Sequence, residues 1–302
     1  VRRDGQAVIP HYPEFKPLSL DDKALLLRHL RQTSREICEL SLGNLFIWQE
    51  FDRPQVTCIN RNTCLLIDPP NEPAYFLEPL GRHELPATVR TMFRHIGRIS
   101  RVSPGFASLL PPAEFALAPL RNQFDYLYLR QEIAELKGRK FDGKRNHLKR
   151  FQAKHPDYQF VPLTVGYKNE ALALFEKWFK IREESRYFPR LAYISQKGAI
   201  NAAFTLFDRL KLLGGVLLVD DQFQGFTLGS QINPETVSVH FLYVDPELPG
   251  GFPAVLWAAC NNCYRGFKYI DLEQDLGIPG LRQAKLSYQP HQLVEKYEVK
   301  RL

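Results

Sequence analysis

Near the C-terminal end, Tyr269, Asp271, Glu273 and Asp275 recur at every second position. On a strand that reached so far they would share one face, with Ile270, Leu272 and Gln274 on the other. Three carboxylates side by side at a strand end can hold an ammonium group or accept a proton from an attacking amine. A solvated strand end running into a turn is the plain alternative. Beyond the bend at Gly277 and Gly280, Arg282 and Lys285 lie one helical turn apart. Fixed cations there can stabilise an oxyanion as its charge develops. They can equally be surface groups paired with Glu273 or Asp275.

A second charged stretch lies mid-chain. From Lys137 to Lys154 stand eight Lys or Arg against one acid, Asp142, and that excess of seven is the net charge of the whole chain. The remaining 32 basic and 32 acidic residues balance. Such focusing suits a polyanion: nucleic acid, phosphate or an anionic membrane surface. Phe141, Leu148 and Phe151 recur at helical spacing, which predicts a helix with one apolar face. The candidate contacts are Lys137, Arg139, Lys140, Lys144, Arg145, Asn146 and His147. A solvated basic helix joining two domains is the competing account. Gly, Asn and His interrupt these cations, where a solubilising helix would mix in Glu.

The elements that must position these groups fall into two similar series. Phe15-Lys16-Pro17-Leu18-Ser19 returns as Phe160-Val161-Pro162-Leu163-Thr164. Each copy reads as a short strand ending on a helix-capping hydroxyl. Helices follow, over 21–33 in the first half and 168–184 in the second. Then come hairpins, at 55–67 and 215–230, a helix at 85–96 or 252–264, and a strand at 99–102 or 267–272. Asn44 and Trp48, one turn apart, can line a pocket or belong to a core helix. At 302 residues and 44% hydrophobic content the chain can bury two cores. The expected boundaries are 1–135, a basic connecting helix over 136–156, and 157–302.

No apolar run reaches the length of a membrane span, and Val1-Arg2-Arg3-Asp4-Gly5 leads into no signal-like segment. The five cysteines, at 38, 58, 64, 260 and 263, are odd in number. Cys260 and Cys263 have zinc spacing, but they sit in an apolar helical pattern with no second pair near them. Free thiols, a reducing cytoplasmic setting and no metal are the expectation. Walker, dinucleotide, nucleophile-elbow and zinc-protease motifs are absent.

Two stretches together carry a family resemblance. Leu136-Lys137-Gly138-Arg139-Lys140 with Lys144-Arg145-Asn146-His147-Leu148-Lys149-Arg150-Phe151 is one. Asp275-Leu276-Gly277-Ile278-Pro279-Gly280-Leu281-Arg282-Gln283-Ala284-Lys285 is the other. The chain resembles the soluble family related to the catalytic C-terminal domain of phosphatidylglycerol lysyltransferases, similar in turn to Fem-type peptidyltransferases. The resemblance implies an α+β fold of two tandem acetyltransferase-like (GNAT-like) domains. It also implies transfer of an amino acid from aminoacyl-tRNA, the co-substrate, to an amine or hydroxyl, with no other cofactor. Lys285 resembles the lysine of that family's F-K-x-x-F-type end motif, with Ala284 in place of the aromatic. The expected catalytic set is Lys285 and Arg282, which the resemblance favours, with Asp275, Glu273 and Asp271, which their spacing brings in. The lipid-modifying members have a large transmembrane portion that this sequence lacks.

An acyl-CoA-dependent transferase is the rival. Its diphosphate would sit on the loop around Gly250 and Gly251, where backbone N–H groups would cradle it. Glu247 and two prolines, Pro249 and Pro253, make that loop a poor anion seat, so CoA ranks below tRNA. A non-catalytic RNA- or partner-binding protein ranks third, because the C-terminal charged set is intact.

Overall fold

A computed structural model describes residues 8–32, 36–182 and 190–302. The ends of the helices expected over 21–33 and 168–184 lie outside the described residues. The first series is β1 (Lys16–Pro17), α1 (Lys23–Gln32), α2 (Leu42–Ile47), α3 (Gln49–Asp52), β2 (Gln55–Ile59), β3 (Asn62–Ile67), β4 (Tyr75–Phe76), α4 (Leu85–Ile96), β5 (Ile99–Val102), α5 (Pro104–Ala107) and β6 (Phe115–Pro119). After β7 (Asp125–Leu129) come α6 (Arg130–Glu135) and the basic helix α7 (Asp142–Lys154). The second series opens with β8 (Gln159–Pro162), α8 (Lys168–Arg182), α9 (Arg190–Thr205), α10 (Phe207–Leu210), β9 (Leu213–Val219), β10 (Gln222–Asn233) and β11 (Thr236–Val244). It ends with α11 (Gly251–Asn261), β12 (Tyr269–Asp271), α12 (Pro279–Leu286), β13 (Gln292–Val294) and β14 (Tyr297–Arg301).

Both sheets have seven strands and the same plan. The first runs β1-β2-β3-β4-β5-β14-β6 and the second β8-β9-β10-β11-β12-β7-β13. In each, the fourth and fifth strands are parallel, β4 with β5 and β11 with β12, and the other pairings are antiparallel. A helix, α4 or α11, connects each parallel pair, as a crossover requires. This is the tandem GNAT-like α+β architecture.

Its strand exchange was not legible in the sequence. β7 follows the first series yet lies inside the second sheet, between β12 and β13. β14 ends the second series yet lies inside the first, between β5 and β6. Boundaries at 135 and 157 therefore do not divide the sheets. The helix expected to connect two domains instead packs Phe141, Leu148 and Phe151 into the second domain's core, beside Ala254 and Val255 of α11. A further core is shared by both halves and includes Leu26, Phe46, Phe175, Phe204 and Phe226.

One buried acid gives a test of the first domain. Glu78 is 4% exposed and accepts the Ser103 N–H at 2.6 Å. Burial pushes its carboxyl up to about 7. A raised folded-state value makes its stabilisation complete below the unfolded carboxylate range and lost as pH rises through 7. Glu78→Gln is expected to raise unfolding free energy by about 3 kcal/mol at pH 8 and by less than about 1 kcal/mol at pH 5. Urea denaturation at the two pH values checks this.

Candidate active site

Between the two domains lies a cavity of about 1270 Å³ with walls from both. The first domain contributes Glu39, Asn44, Trp48, Asp52, Tyr75 and Arg101. Asn44 and Trp48 do line a pocket. The second contributes Lys144, His147, His240, Glu273, Gln274 and Lys285. Burial pushes the Asp52 carboxyl up to about 6.

Lys285 stands near the C-terminal end of α12, a helix that starts on Pro279. Its Nζ donates to the carbonyls of Leu272 at 2.5 Å and Glu273 at 3.1 Å, and also to that of Gln274. All three donors of the ammonium are thus aimed at backbone oxygens. Burial draws its pKa below the ordinary lysine value, against the pull of Glu273, Asp271 and Asp125. Two tyrosines from the exchanged strand β7 support the helix. Tyr128 donates to the Lys285 carbonyl at 2.8 Å, and the Tyr126 ring centre lies 5.6 Å from Nζ.

The three acids do not share a face. β12 ends at Asp271, and Glu273 and Leu276 have left-handed backbone, φ 59° and 53°. The alternation breaks there, and the carboxylates separate. Asp271 is fully buried; Oδ1 accepts the Glu273 N–H at 2.7 Å and Oδ2 has no hydrogen-bond partner among the described residues. Burial, then the charges of Asp125 and Glu273, push its carboxyl well above the usual range. Asp275 is also fully buried but fully engaged. Arg282 binds it in a fork at 2.8 and 2.9 Å, Arg121 at 2.9 Å, Tyr126 at 2.6 Å and the Gly277 N–H at 2.8 Å. Burial works to raise its carboxyl, but these donors outweigh it and hold it far below the usual range. Arg282 and Asp275 therefore brace the bend that carries Lys285.

Glu273 is the acid that faces the cavity. Its Oε1 accepts from Ser238 Oγ at 2.6 Å and lies 2.7 Å from His240 Nδ1. Its Oε2 has no hydrogen bond among the described residues. Burial works to raise this carboxyl too; His240, then Ser238 and Lys285, bring it below the usual range.

The basic stretch divides. Lys144 turns into the cavity, with Nζ 2.6 Å from Ser287 Oγ and 4.1 Å from the Tyr288 ring centre, and burial lowers its pKa. Arg145 donates to the carbonyls of Leu136 and Gly138 and pairs with Asp142, so it fastens the turn before α7. Lys137 pairs with Glu135 and Lys140 with Glu132. Arg139, Asn146, His147, Lys149, Arg150 and Lys154 are exposed. Gly250 and Gly251 have packing reasons to be glycine. A Cβ at Gly250 would stand 3.0 Å from the His147 carbonyl, and one at Gly251 2.5 Å from Val244.

Beside the cavity is a buried charge cluster with no sequence signal. Lys296 is fully buried, with Nζ 2.6 Å from Glu39 Oε2, 2.8 Å from Asp125 Oδ1 and 3.6 Å from Cys38 Sγ. Cys38, Glu39 and Asp125 offer ligand atoms within 4.8 Å of one another, a spacing that would suit a metal ion. The ammonium already stands among them. Cys260 and Cys263 are free, and burial keeps both thiols protonated.

The family described as phosphatidylglycerol lysyltransferase, C-terminal, matches residues 30–300. A conserved protein of unknown function from Bacteroides thetaiotaomicron VPI-5482 is similar at 30% identity, over 94% of this chain and 98% of that one, with a TM-score of 0.85. The C-terminal domain (DUF2156) of a protein described as a lysylphosphatidylglycerol synthetase, from Agrobacterium fabrum, has the same fold: 13% identity, 93% and 92% coverage, TM-score 0.63. No curated protein matches the chain.

Proposed function

Because the chain belongs to the family of the phosphatidylglycerol lysyltransferase C-terminal domain, a family of acyl- and aminoacyltransferases, we propose that it moves an amino acid from aminoacyl-tRNA to an amine or hydroxyl acceptor inside the interdomain cavity. The observation that carries the reading is Lys285, a cation fixed by three carbonyls on the cavity wall. Aminoacyl transfer puts negative charge first on the ester carbonyl oxygen and then on the departing ribose oxygen. A preorganised cation stabilises both as they form. The longest of its three bonds, to the Glu273 carbonyl, is the one exchanged for substrate.

Glu273 is the proton acceptor. Oε2 takes the proton of the attacking N–H or O–H as the new bond to the acyl carbon forms. The ribose C–O bond then breaks, and Glu273 returns the proton to the ribose oxygen. Lys144 adds a second cation to the wall.

CoA suits this site poorly. At the start of α11 the Gly251 N–H is bonded to the Leu248 carbonyl and the Ala254 N–H to that of Gly250, and Pro253 has none. Glu247 and Asp245 beside it are tied to Lys177. Few donors are left for a diphosphate.

The exposed cations of α7 suit tRNA phosphates. Among the described residues no helix is long and apolar enough to cross a membrane. The five free thiols agree with a cytoplasmic reaction. A pool of labelled aminoacyl-tRNAs with cell extract is the test: label is expected in an amine or hydroxyl product, and hydrolysis alone or no reaction overturns the reading. Lys149→Ala with Arg150→Ala is expected to weaken tRNA binding and flatten its salt dependence by about one unit of slope for each phosphate no longer neutralised. Filter binding at several salt concentrations measures this.

A further inference from the structure

Behind Glu273 the hydrogen bonds continue away from the cavity. His240 is the extra residue of a β-bulge: Leu228 pairs with Phe241 and Gly229 with Val239, so His240 has no ladder partner. A bulge re-aims a side chain. Here it places Nδ1 2.7 Å from Glu273 Oε1 and Nε2 2.7 Å from Ser230 Oγ. The order is carboxylate, imidazole, hydroxyl, but the ends are reversed relative to a serine hydrolase. The carboxylate faces the cavity. The serine is 3% exposed and lies against Gly43 of α2, where a Cβ would stand 2.1 Å from its Oγ and 2.6 Å from His240 Nε2. No acyl group can reach that hydroxyl.

We propose that Ser230 and His240 are positioning residues: they fix the Glu273 carboxylate and, through the left-handed backbone of Glu273, the three-carbonyl seat of Lys285. The inference rests on the reading of Glu273 and Lys285 given above. Residue 273 supplies both parts of the site. Its side chain is the proton acceptor and its carbonyl is one of the three that hold Nζ. A non-glycine residue at φ 59° needs surroundings that hold it there. The Ser238 and His240 bonds to one carboxylate oxygen, and the Asp271 bond to the backbone N–H, supply that hold. Ser230 fits at the far end because a hydroxyl both donates and accepts. It satisfies Nε2 while Nδ1–H donates to Glu273, which fixes the tautomer. Gly43 lets α2 of the first domain lie directly over the pair and shield it.

The test uses the whole chain and two readouts. The first does not depend on catalysis: pulse acetylation of lysines with acetic anhydride, with Lys285 read by mass spectrometry against exposed Lys149. Loss of a charge-assisted hydrogen bond is worth about a tenfold change, so His240→Leu is expected to raise the relative labelling of Lys285 about tenfold. His240→Asn keeps an N–H near the position of Nδ1 and is expected to restore most of the protection. The second readout is transfer: His240→Leu lowers kcat by about 10–100-fold at unchanged KM for tRNA, and His240→Asn recovers part of it. If His240→Leu does not fold, Ser230→Ala takes its place, with about a threefold rise in labelling expected from a single lost neutral bond. Wild-type labelling of Lys285 in the folded variant overturns the proposal. Failure of the wild-type protein to transfer any amino acid overturns the aminoacyl reading instead, and the labelling result stands apart from it.

Discussion

Replacing Lys285 by Ala is expected to slow aminoacyl transfer by about 10²–10³ while tRNA affinity is unchanged. The ammonium sits on the cavity wall, away from the exposed face of α7, so it acts on charge that appears in the transition state and not on tRNA phosphates. The fold survives, because the three carbonyls it leaves face a cavity that admits water. Lys285→Arg is not expected to rescue. Three convergent carbonyls suit a compact point charge, and a planar guanidinium cannot place its donors on all three. Single-turnover transfer beside filter binding measures both quantities. Wild-type turnover in Lys285→Ala would remove Lys285 from the chemistry.

Lys296→Met is expected to destabilise the protein by about 3–5 kcal/mol at neutral pH, the usual cost of leaving buried charge without its partner. Lys296 and Asp125 are both fully buried. Burial alone would lower the pKa of Lys296; Asp125, Cys38 and Glu39 raise it, so it stays charged. Burial lifts the Asp125 carboxyl to about 6 even with the ammonium beside it, and without it the carboxyl rises further. A carboxyl raised in the folded state is stabilising below its unfolded value and loses that contribution as pH rises through the folded one. The deficit of the variant is therefore smallest near pH 5 and largest above pH 7. Adding Asp125→Asn to Lys296→Met should return part of the loss at pH 7. Urea denaturation at both pH values checks this, and an equal deficit at each would refute the charge argument.

What the sequence disclosed depended on how local the cause was. The echo of β1 in β8, the hairpins and α11 follow from periodicity and turn residues within a few positions. Lys285 and Arg282 could be singled out through a motif and one helical turn, but the fork of Arg282 on buried Asp275 could not. The common face at 269–275 was not, because it assumed that a strand continued where the chain turns at Glu273. Arg145 looked like a phosphate ligand, yet its guanidinium is used on the carbonyls of Leu136 and Gly138, nine and seven residues before it and outside the helix. Lys296 meets Asp125 and Glu39 across 171 and 257 residues of chain, and no window of sequence contains that encounter. Strand β7 reads as a strand, but nothing in its residues says which sheet admits it.

That admission decides how the cavity can vary in size. Two-domain enzymes that close on a substrate turn about a hinge, and the gap between their halves widens and narrows. Here an interior strand of each sheet comes from the other half of the chain, with ladders on both its sides. Turning one sheet away from the other would break no ladder, but the chain crosses between them twice, over 120–124 and 295–296, and both links would have to bend together. The same turn would open the core in which Leu26 and Phe46 meet Phe175, Phe204 and Phe226, and exposing apolar surface is costly. The gap is consequently held near one width by two straps and a shared core, and a substrate is sorted first by what fits between walls so held.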